Sequence, residues 1–134
     1  MPTKLLAKQK GEWAEVCFAA EVLLRGWRIA RPYGDSGPYD CVVDAHGKLS
    51  RVQVKSVEKC AGKNRFKVTI AAGRNRKRGY SARQVDFLAI FVIPLRSWYV
   101  IPLAAVRGRI SISLPGRFER YRGAWGQLCD WVIG

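Results

Sequence analysis

The amino-acid sequence predicts an α/β or α+β fold in which one N-terminal helix precedes a β-sheet. The N-terminal segment follows a helical pattern, whereas most of the remaining chain consists of short apolar or alternating segments separated by turn residues. The chain has 134 residues, 49% of them hydrophobic, which is enough to build one buried core. Because the sequence contains no internal repeat and no linker, we expect a single domain over residues 1–134.

The first predicted element is a helix from about Lys8 to Arg25. Its pattern ends at Gly26, the residue type most common just after a helix C-terminus. Residues 27–31 predict a short strand that leads into the loop "PYGDSGP".

The remaining elements are mostly strands. Residues 40–44 and 49–57 predict a hairpin, and residues 65–71 alternate like a further strand. The segment "GRNRKRG" predicts a basic loop between glycines, and "FLAIFVI" predicts a buried strand followed by a turn and the strand "WYVI". From about Pro102 onward, short strand and helix signals alternate. One helix followed by mainly antiparallel strands is typical of an α+β or α/β sheet core.

The net charge of +14 indicates a polyanionic partner, with nucleic acid favoured over an anionic membrane surface. Between residues 63 and 83 there are eight basic residues and no acid, so we expect phosphate contacts there rather than only a solvated loop. A basic RNA-binding protein would share this charge. The residues predicted to contact DNA are Lys63, Arg65, Arg74, Arg76, Lys77, Arg78 and Arg83.

The cysteines do not predict a metal site or a disulfide framework. The four are scattered, there is one histidine, and no C-x-x-C pair occurs, so a zinc site is not expected. The sequence also contains no signal peptide and no apolar run of membrane-spanning length. We therefore expect a cytoplasmic protein that acts on DNA.

The hairpin brings an acid, an amide and a lysine to one face. If His46 and Gly47 form a two-residue turn, Asp40 lies opposite Gln53, with side-chain carbons roughly 5 Å apart, and Lys55 sits on the diagonal. Strand alternation also puts Gln53 and Lys55 on the same face. This arrangement predicts either a polar hairpin face or a catalytic cluster.

A magnesium site is one use for this cluster. Mg²⁺ takes about six oxygen ligands, often one or two carboxylates with water and phosphate. Asp40 would supply the carboxylate, Gln53 its amide oxygen and Val54 its backbone carbonyl. Lys55 would position or help to deprotonate the attacking water and stabilise charge on the phosphate.

A second carboxylate is expected from the helix, which offers Glu12 and Glu15. Glu15 has apolar neighbours at i+3, i+4 and i+7, so it should pack against the sheet, where a metal ion would offset the cost of burying its charge. Glu12 lies in the first turn, where the helix dipole alone explains an acid. We therefore select Glu15.

Several segments together resemble the PD-(D/E)xK nuclease superfamily, and most closely the small homing endonucleases encoded in group I introns, which carry glutamine in place of an acid. The matching segments are "GEWAE", "PYGDSGPYDCVVD", "RVQVKS" and, more weakly, "VDFLAIFV" with "WYVIP". Archaeal-type Holliday junction resolvases are the next nearest group.

The resemblance implies a restriction-endonuclease-like core, a central mixed sheet flanked by helices. It also implies a DNA endonuclease dependent on Mg²⁺, with Mn²⁺ able to substitute, and with Glu15, Asp40, Gln53 and Lys55 in its site. Cutting both strands of a duplex is easier with two sites, so a homodimer or larger homo-oligomer is expected.

The sequence departs from the general signature in two ways, because Tyr39 precedes the acid and because Gln53 is neutral. A protein that only binds DNA could show the same glutamine.

Overall fold

The computed structural model describes residues 5–34, 37–72, 78–79 and 84–130. Its one described α-helix, α1, spans Ala7–Leu24, within one residue of the predicted bounds at each end. Arg25 is the C-terminal cap, and Gly26 follows with φ of +79°, the left-handed conformation that glycine adopts without strain. None of the helices in these ranges is long and apolar enough to cross a membrane.

The described residues form a mixed five-stranded sheet and two small antiparallel sheets. The strands are β1 (Arg28–Ala30), β2 (Cys41–Ala45), β3 (Lys48–Val57), β4 (Phe66–Thr69), β5 (Ala71–Ala72), β6 (Arg78–Gly79), β7 (Phe87–Val92), β8 (Ser97–Pro102) and β9 (Ser111–Leu114). In the main sheet the order is β1-β2-β3-β7-β8, with β3 and β7 parallel and the other neighbours antiparallel. The smaller sheets pair β4 with β9 and β5 with β6.

The strands β7 and β8 are buried on both faces, which explains the fully apolar run at β7. On one face, Phe18 and Val22 of α1 pack with alternate residues of β7 and β8 and with Trp125. On the other face, the intervening residues of β7 and β8 pack against β4, β9 and short 3₁₀ segments. The 3₁₀ segments are Ile93–Leu95, Leu103–Val106, Gly116–Tyr121 and Trp125–Leu128. The predicted mixed sheet is thus confirmed, with α1 on one face and the second sheet on the other.

The hairpin turn and its register are confirmed. His46 and Gly47 have φ of 55° and 92°, the two positive values that a type I′ turn requires. The Asp44 carboxylate accepts a hydrogen bond from the Gly47 N–H at 2.9 Å, which closes the turn. Ala45 pairs with Lys48, and the register continues without a bulge to Cys41 and Val52.

The basic segment is only partly described. Arg74, Arg76, Lys77 and Arg83 lie outside the described residues. The backbone of Arg78 and Gly79 forms β6 and pairs with β5, so these two residues belong to a strand and not to the predicted loop. The backbone groups of Arg78 and Gly79 find hydrogen-bond partners in Ala72 and Ala71, and the composition of the basic segment does not indicate this pairing.

An ion pair ties β3 to the start of β7. The Arg51 guanidinium donates to the Asp86 carboxylate at 3.0 and 3.1 Å, and the same carboxylate accepts the Arg51 backbone N–H at 2.7 Å. In return, the Asp86 N–H donates to the Arg51 carbonyl at 2.9 Å. These bonds position the parallel strand next to the candidate site strand.

Candidate active site

Two adjoining pockets lie where α1 faces the loop that joins β1 to β2. Their volumes are about 340 and 430 Å³. Asp40, the residue before β2, lines the first pocket, and Cys41 and Val54 line the second. Glu12, Glu15 and Arg31 line both pockets, so the helix acids and the strand acid share one concave surface.

Asp40 is held against β3 by two hydrogen bonds. Its backbone N–H donates to the Val52 carbonyl at 2.9 Å, and its carboxylate accepts the Val54 N–H at 2.7 Å. Burial raises the pKa of Asp40, and the bond from Val54 and the charges of Lys55 and Arg31 act in the opposite direction. The carboxylate is therefore fixed in place in surroundings that disfavour its charge.

Glu15 reaches the same surface from α1. Its side chain is 27% exposed, as expected for a glutamate whose neighbours Phe18 and Val22 are buried in the core. Burial raises the pKa of Glu15, and the charges of Asp40 and Glu12 add to this effect. The two predicted carboxylates are thus close enough to repel each other.

Arg31 is the cation that partly offsets this repulsion, and sequence analysis missed it. Its guanidinium lies 3.5 Å from a carboxylate oxygen of Glu15, and its charge lowers the pKa of both Glu15 and Asp40. Its side chain is 77% exposed. No sequence signal distinguishes Arg31 from the other basic residues, since only the path of the β1–β2 loop brings it over the acids.

Lys55 and Gln53 both lie on β3, the strand to which Asp40 is bonded. The positive charge of Lys55 is close enough to Asp40 to lower its pKa against the larger effect of burial. The register of β2 with β3 ends at the Cys41–Val52 pair, and the predicted pairing of Asp40 with Gln53 is not part of it. Asp40 is bonded instead to Val52 and Val54, the residues on either side of Gln53. Gln53 is half-buried on β3 and is not one of the described residues that line the two pockets. The structure brings Glu15 and Asp40 into one pocket, with the charge of Lys55 acting on Asp40 and with Gln53 between the two residues that bond to Asp40.

The donor set fits a hard divalent cation. Glu15 and Asp40 offer carboxylate oxygens in surroundings that raise both pKa values, so a bound cation would offset an unfavourable concentration of negative charge. Within the described ranges, no three His, Cys, Asp or Glu side chains cluster as a metal site. A cation here would therefore also need amide, backbone or water oxygens, all of which Mg²⁺ accepts.

The sequence profile of the PD-(D/E)XK endonuclease family matches residues 5–118. The chain belongs to this family. The matched range of the PD-(D/E)XK endonuclease begins just before α1, includes Glu15, Asp40, Gln53 and Lys55, and ends in the 3₁₀ segment after β9. A comparison with curated proteins finds no match.

Two solved structures resemble this PD-(D/E)XK endonuclease. The bacterial homing endonuclease I-Ssp6803I is 30% identical, with a TM-score of 0.80 over 92% of this chain and 93% of its own. The Holliday junction resolvase Hjc of Archaeoglobus fulgidus, an archaeal hyperthermophile, is 16% identical, with a TM-score of 0.58 over 84% of this chain and 89% of its own. The second likeness concerns the fold alone. The predicted restriction-endonuclease-like core is therefore confirmed.

Proposed function

We propose that this endonuclease cleaves DNA in a Mg²⁺-dependent reaction at the surface shared by Glu15 and Asp40, with Lys55 beside Asp40. The observation that supports this most directly is that two carboxylates from distant parts of the chain meet in one pocket, with a lysine beside the strand acid. Packing does not require such a pair, because each acid raises the cost of burying the other.

Glu15, Asp40, the Gln53 amide and the Val54 carbonyl would hold the Mg²⁺, and Mn²⁺ would substitute for it. When bound, the ion would lower the pKa of the attacking water and offset charge on the phosphate. Lys55 would orient that water and stabilise the negative charge that develops on the phosphate oxygens. Asp40 is suited to be a metal ligand of fixed orientation, because the hydrogen bond from the Val54 N–H already holds its carboxylate in place.

A homing-type duplex substrate is our first choice, because I-Ssp6803I, a homing endonuclease, shares 30% of the sequence over nearly the whole chain. A four-way junction is the second choice, and the neutral Gln53 leaves a DNA-binding protein without cleavage as the third. We also propose a homodimer or larger homo-oligomer, since one chain offers one site for two strands.

DNA contacts are proposed for the predicted basic residues. Lys63 and Arg65 are exposed in the turn before β4. Replacing Arg74, Arg76, Lys77 and Arg78 together with alanine should flatten the salt dependence of DNA binding by about 0.9 in log–log slope for each phosphate that the protein no longer neutralises. An unchanged slope would remove this segment from the DNA interface.

The deciding experiment is cleavage of four labelled substrates: linear duplex, supercoiled plasmid, four-way junction and structured RNA. Each is incubated with Mg²⁺, with Mn²⁺ and with excess chelator, with Lys55→Ala as the matched variant. We expect metal-dependent DNA cutting that Lys55→Ala loses while its DNA affinity is retained. Binding without cutting under either metal would contradict the proposed reaction, and cutting of RNA alone would contradict the proposed substrate.

A further inference from the structure

A third pocket lies on the other side of the helix residue Gly11. Its volume is about 460 Å³, and it is formed between the start of α1, the end of β3 and the strand β4. Lys55 lines it, so the pocket begins beside the candidate active site. We call it the lysine groove; its lining side chains include Lys10, Lys55, Ser56, Lys67 and Thr69.

The lysine groove has the chemistry of a phosphate-binding surface. Three of its lining residues are lysines and two carry hydroxyls, and none of the described residues that line it is Asp or Glu. Lys10 is ion-paired with Glu58, which offsets its charge, whereas Lys67 is exposed on β4. Ammonium and hydroxyl groups are the usual ligands of DNA phosphates, and such contacts position the DNA backbone without reading its sequence.

Gly11 joins the groove to the active-site pocket, because it lines both. A glycine inside a helix is less stable than an alanine, so its presence needs a reason. A Cβ at Gly11 would meet no atom within 4 Å, and its φ is not in the left-handed region. Neither packing nor backbone conformation therefore requires glycine at this position.

We propose that the backbone of the cleaved DNA strand crosses α1 at Gly11, and that the lysine groove holds phosphates next to the one being cut. The missing side chain lets the sugar–phosphate backbone pass close to the helix from the Asp40 side to the Lys67 side. Lys67 is the phosphate contact. The proposal rests on the proposed function, and it adds the path of the strand and residues outside the predicted DNA-binding set.

The charge part is tested by the salt dependence of binding to a short duplex of arbitrary sequence, with Ca²⁺ in place of Mg²⁺. Lys67→Ala should lower the log–log slope by about 0.9, the value for one phosphate contact. The matched control is Arg107→Ala, which removes one exposed positive charge outside the groove. A slope for Lys67→Ala equal to that of the unmodified protein would overturn the contact.

The steric part is tested with Gly11→Ala and Gly11→Leu. Both residues are better helix formers than glycine, so thermal unfolding should shift upward by a few degrees. DNA cleavage should nevertheless fall, by up to ~10²-fold for leucine, because the strand is held away from the reacting groups. If Gly11 had only a structural role, stability and cleavage would not change in opposite directions. Unchanged DNA affinity and cleavage in Gly11→Leu would overturn the proposed crossing.

Failure of this proposal can be distinguished from failure of the proposed function. If the unmodified protein binds DNA but does not cut it, the groove is still judged by the binding of Lys67→Ala and Gly11→Leu. If the unmodified protein cuts DNA and both variants match it, the groove proposal alone is wrong. If the unmodified protein does not bind DNA, both proposals are wrong.

Discussion

The Asp40 carboxylate accepts the backbone N–H of Val54 at 2.7 Å, so the strand acid is fastened to the strand that carries Gln53 and Lys55. The Asp40 carboxylate therefore has two separable roles. Its structural role, accepting the Val54 N–H, needs only an oxygen acceptor, whereas its chemical role needs the negative charge. An amide at position 40 keeps the first and loses the second.

Asp40→Asn and Asp40→Ala should therefore both abolish metal-dependent cleavage but differ in stability. We expect the free energy of unfolding to be about 1–3 kcal/mol lower for Asp40→Ala than for Asp40→Asn, because alanine leaves the Val54 N–H without its acceptor. Denaturant unfolding of the two variants measures this difference. Equal stability would show that water replaces the carboxylate at no cost.

Glu15→Gln should remove cleavage and raise stability at neutral pH. Burial, with the charge of Asp40, raises the pKa of Glu15 above its ordinary value of 4.5. The folded state then holds this proton more tightly than the unfolded state, so stability falls as pH rises from the ordinary pKa through the raised one. Unfolding across pH should show the gain of Glu15→Gln at neutral pH and its disappearance below about pH 4.5. Glu12→Gln is the control, and we expect it to retain cleavage.

Arg31→Ala should bind divalent metal more tightly when DNA is absent. The guanidinium lies 3.5 Å from Glu15 and is largely exposed, so its electrostatic competition with a cation is worth about 0.2–1 kcal/mol, or up to about fivefold in affinity. Calorimetric titration with Mn²⁺ measures the change. The control is Arg28→Ala, an exposed arginine of β1 that does not line the two described pockets. Weaker metal binding by Arg31→Ala would contradict the competition.

Gln53→Glu should tighten metal binding, on the order of tenfold, because a charged ligand replaces a neutral one. Gln53→Leu removes the oxygen and should weaken it. The same calorimetric titration compares the three proteins. If all three bind metal alike, Gln53 is not a ligand.

Asp86→Asn should cost about 1 kcal/mol of stability at neutral pH, since the hydrogen bonds from Arg51 lose a charged partner. Burial acts to raise the pKa of Asp86, but the Arg51 bonds outweigh it and lower the pKa below its ordinary value of 3.8. The contribution is therefore present above pH 3.8 and is lost as pH falls through the lower folded pKa. Unfolding in acid should show the two proteins converge, and a constant difference would exclude this ionisation as the cause.

Local pattern was sufficient for much of the fold. The ends of α1 and the hairpin register were predicted because a C-terminal glycine and a two-residue turn act on their immediate neighbours. The parallel pairing of β3 with β7 was not predicted. The strands are far apart in the chain, with 29 residues between Val57 and Phe87, and the pattern of neither strand specifies which strand it pairs with. The pairing of Arg78 with Ala72, only six positions away, was missed because the basic segment between glycines was predicted to be a loop.

The sequence by itself determined the hairpin turn and the pairing of β2 with β3, because strand alternation and turn geometry follow from covalent neighbours. Its resemblance to a nuclease family supplied the set of candidate site residues. Only the tertiary structure decided that Glu15 and Asp40 line one pocket, that Arg31 lies beside them, and that Gly11 lines both this pocket and the lysine groove. These relationships depend on how α1 packs across the sheet. That packing results from burial of Phe18 and Val22 against β7 and β8, a property of the whole core.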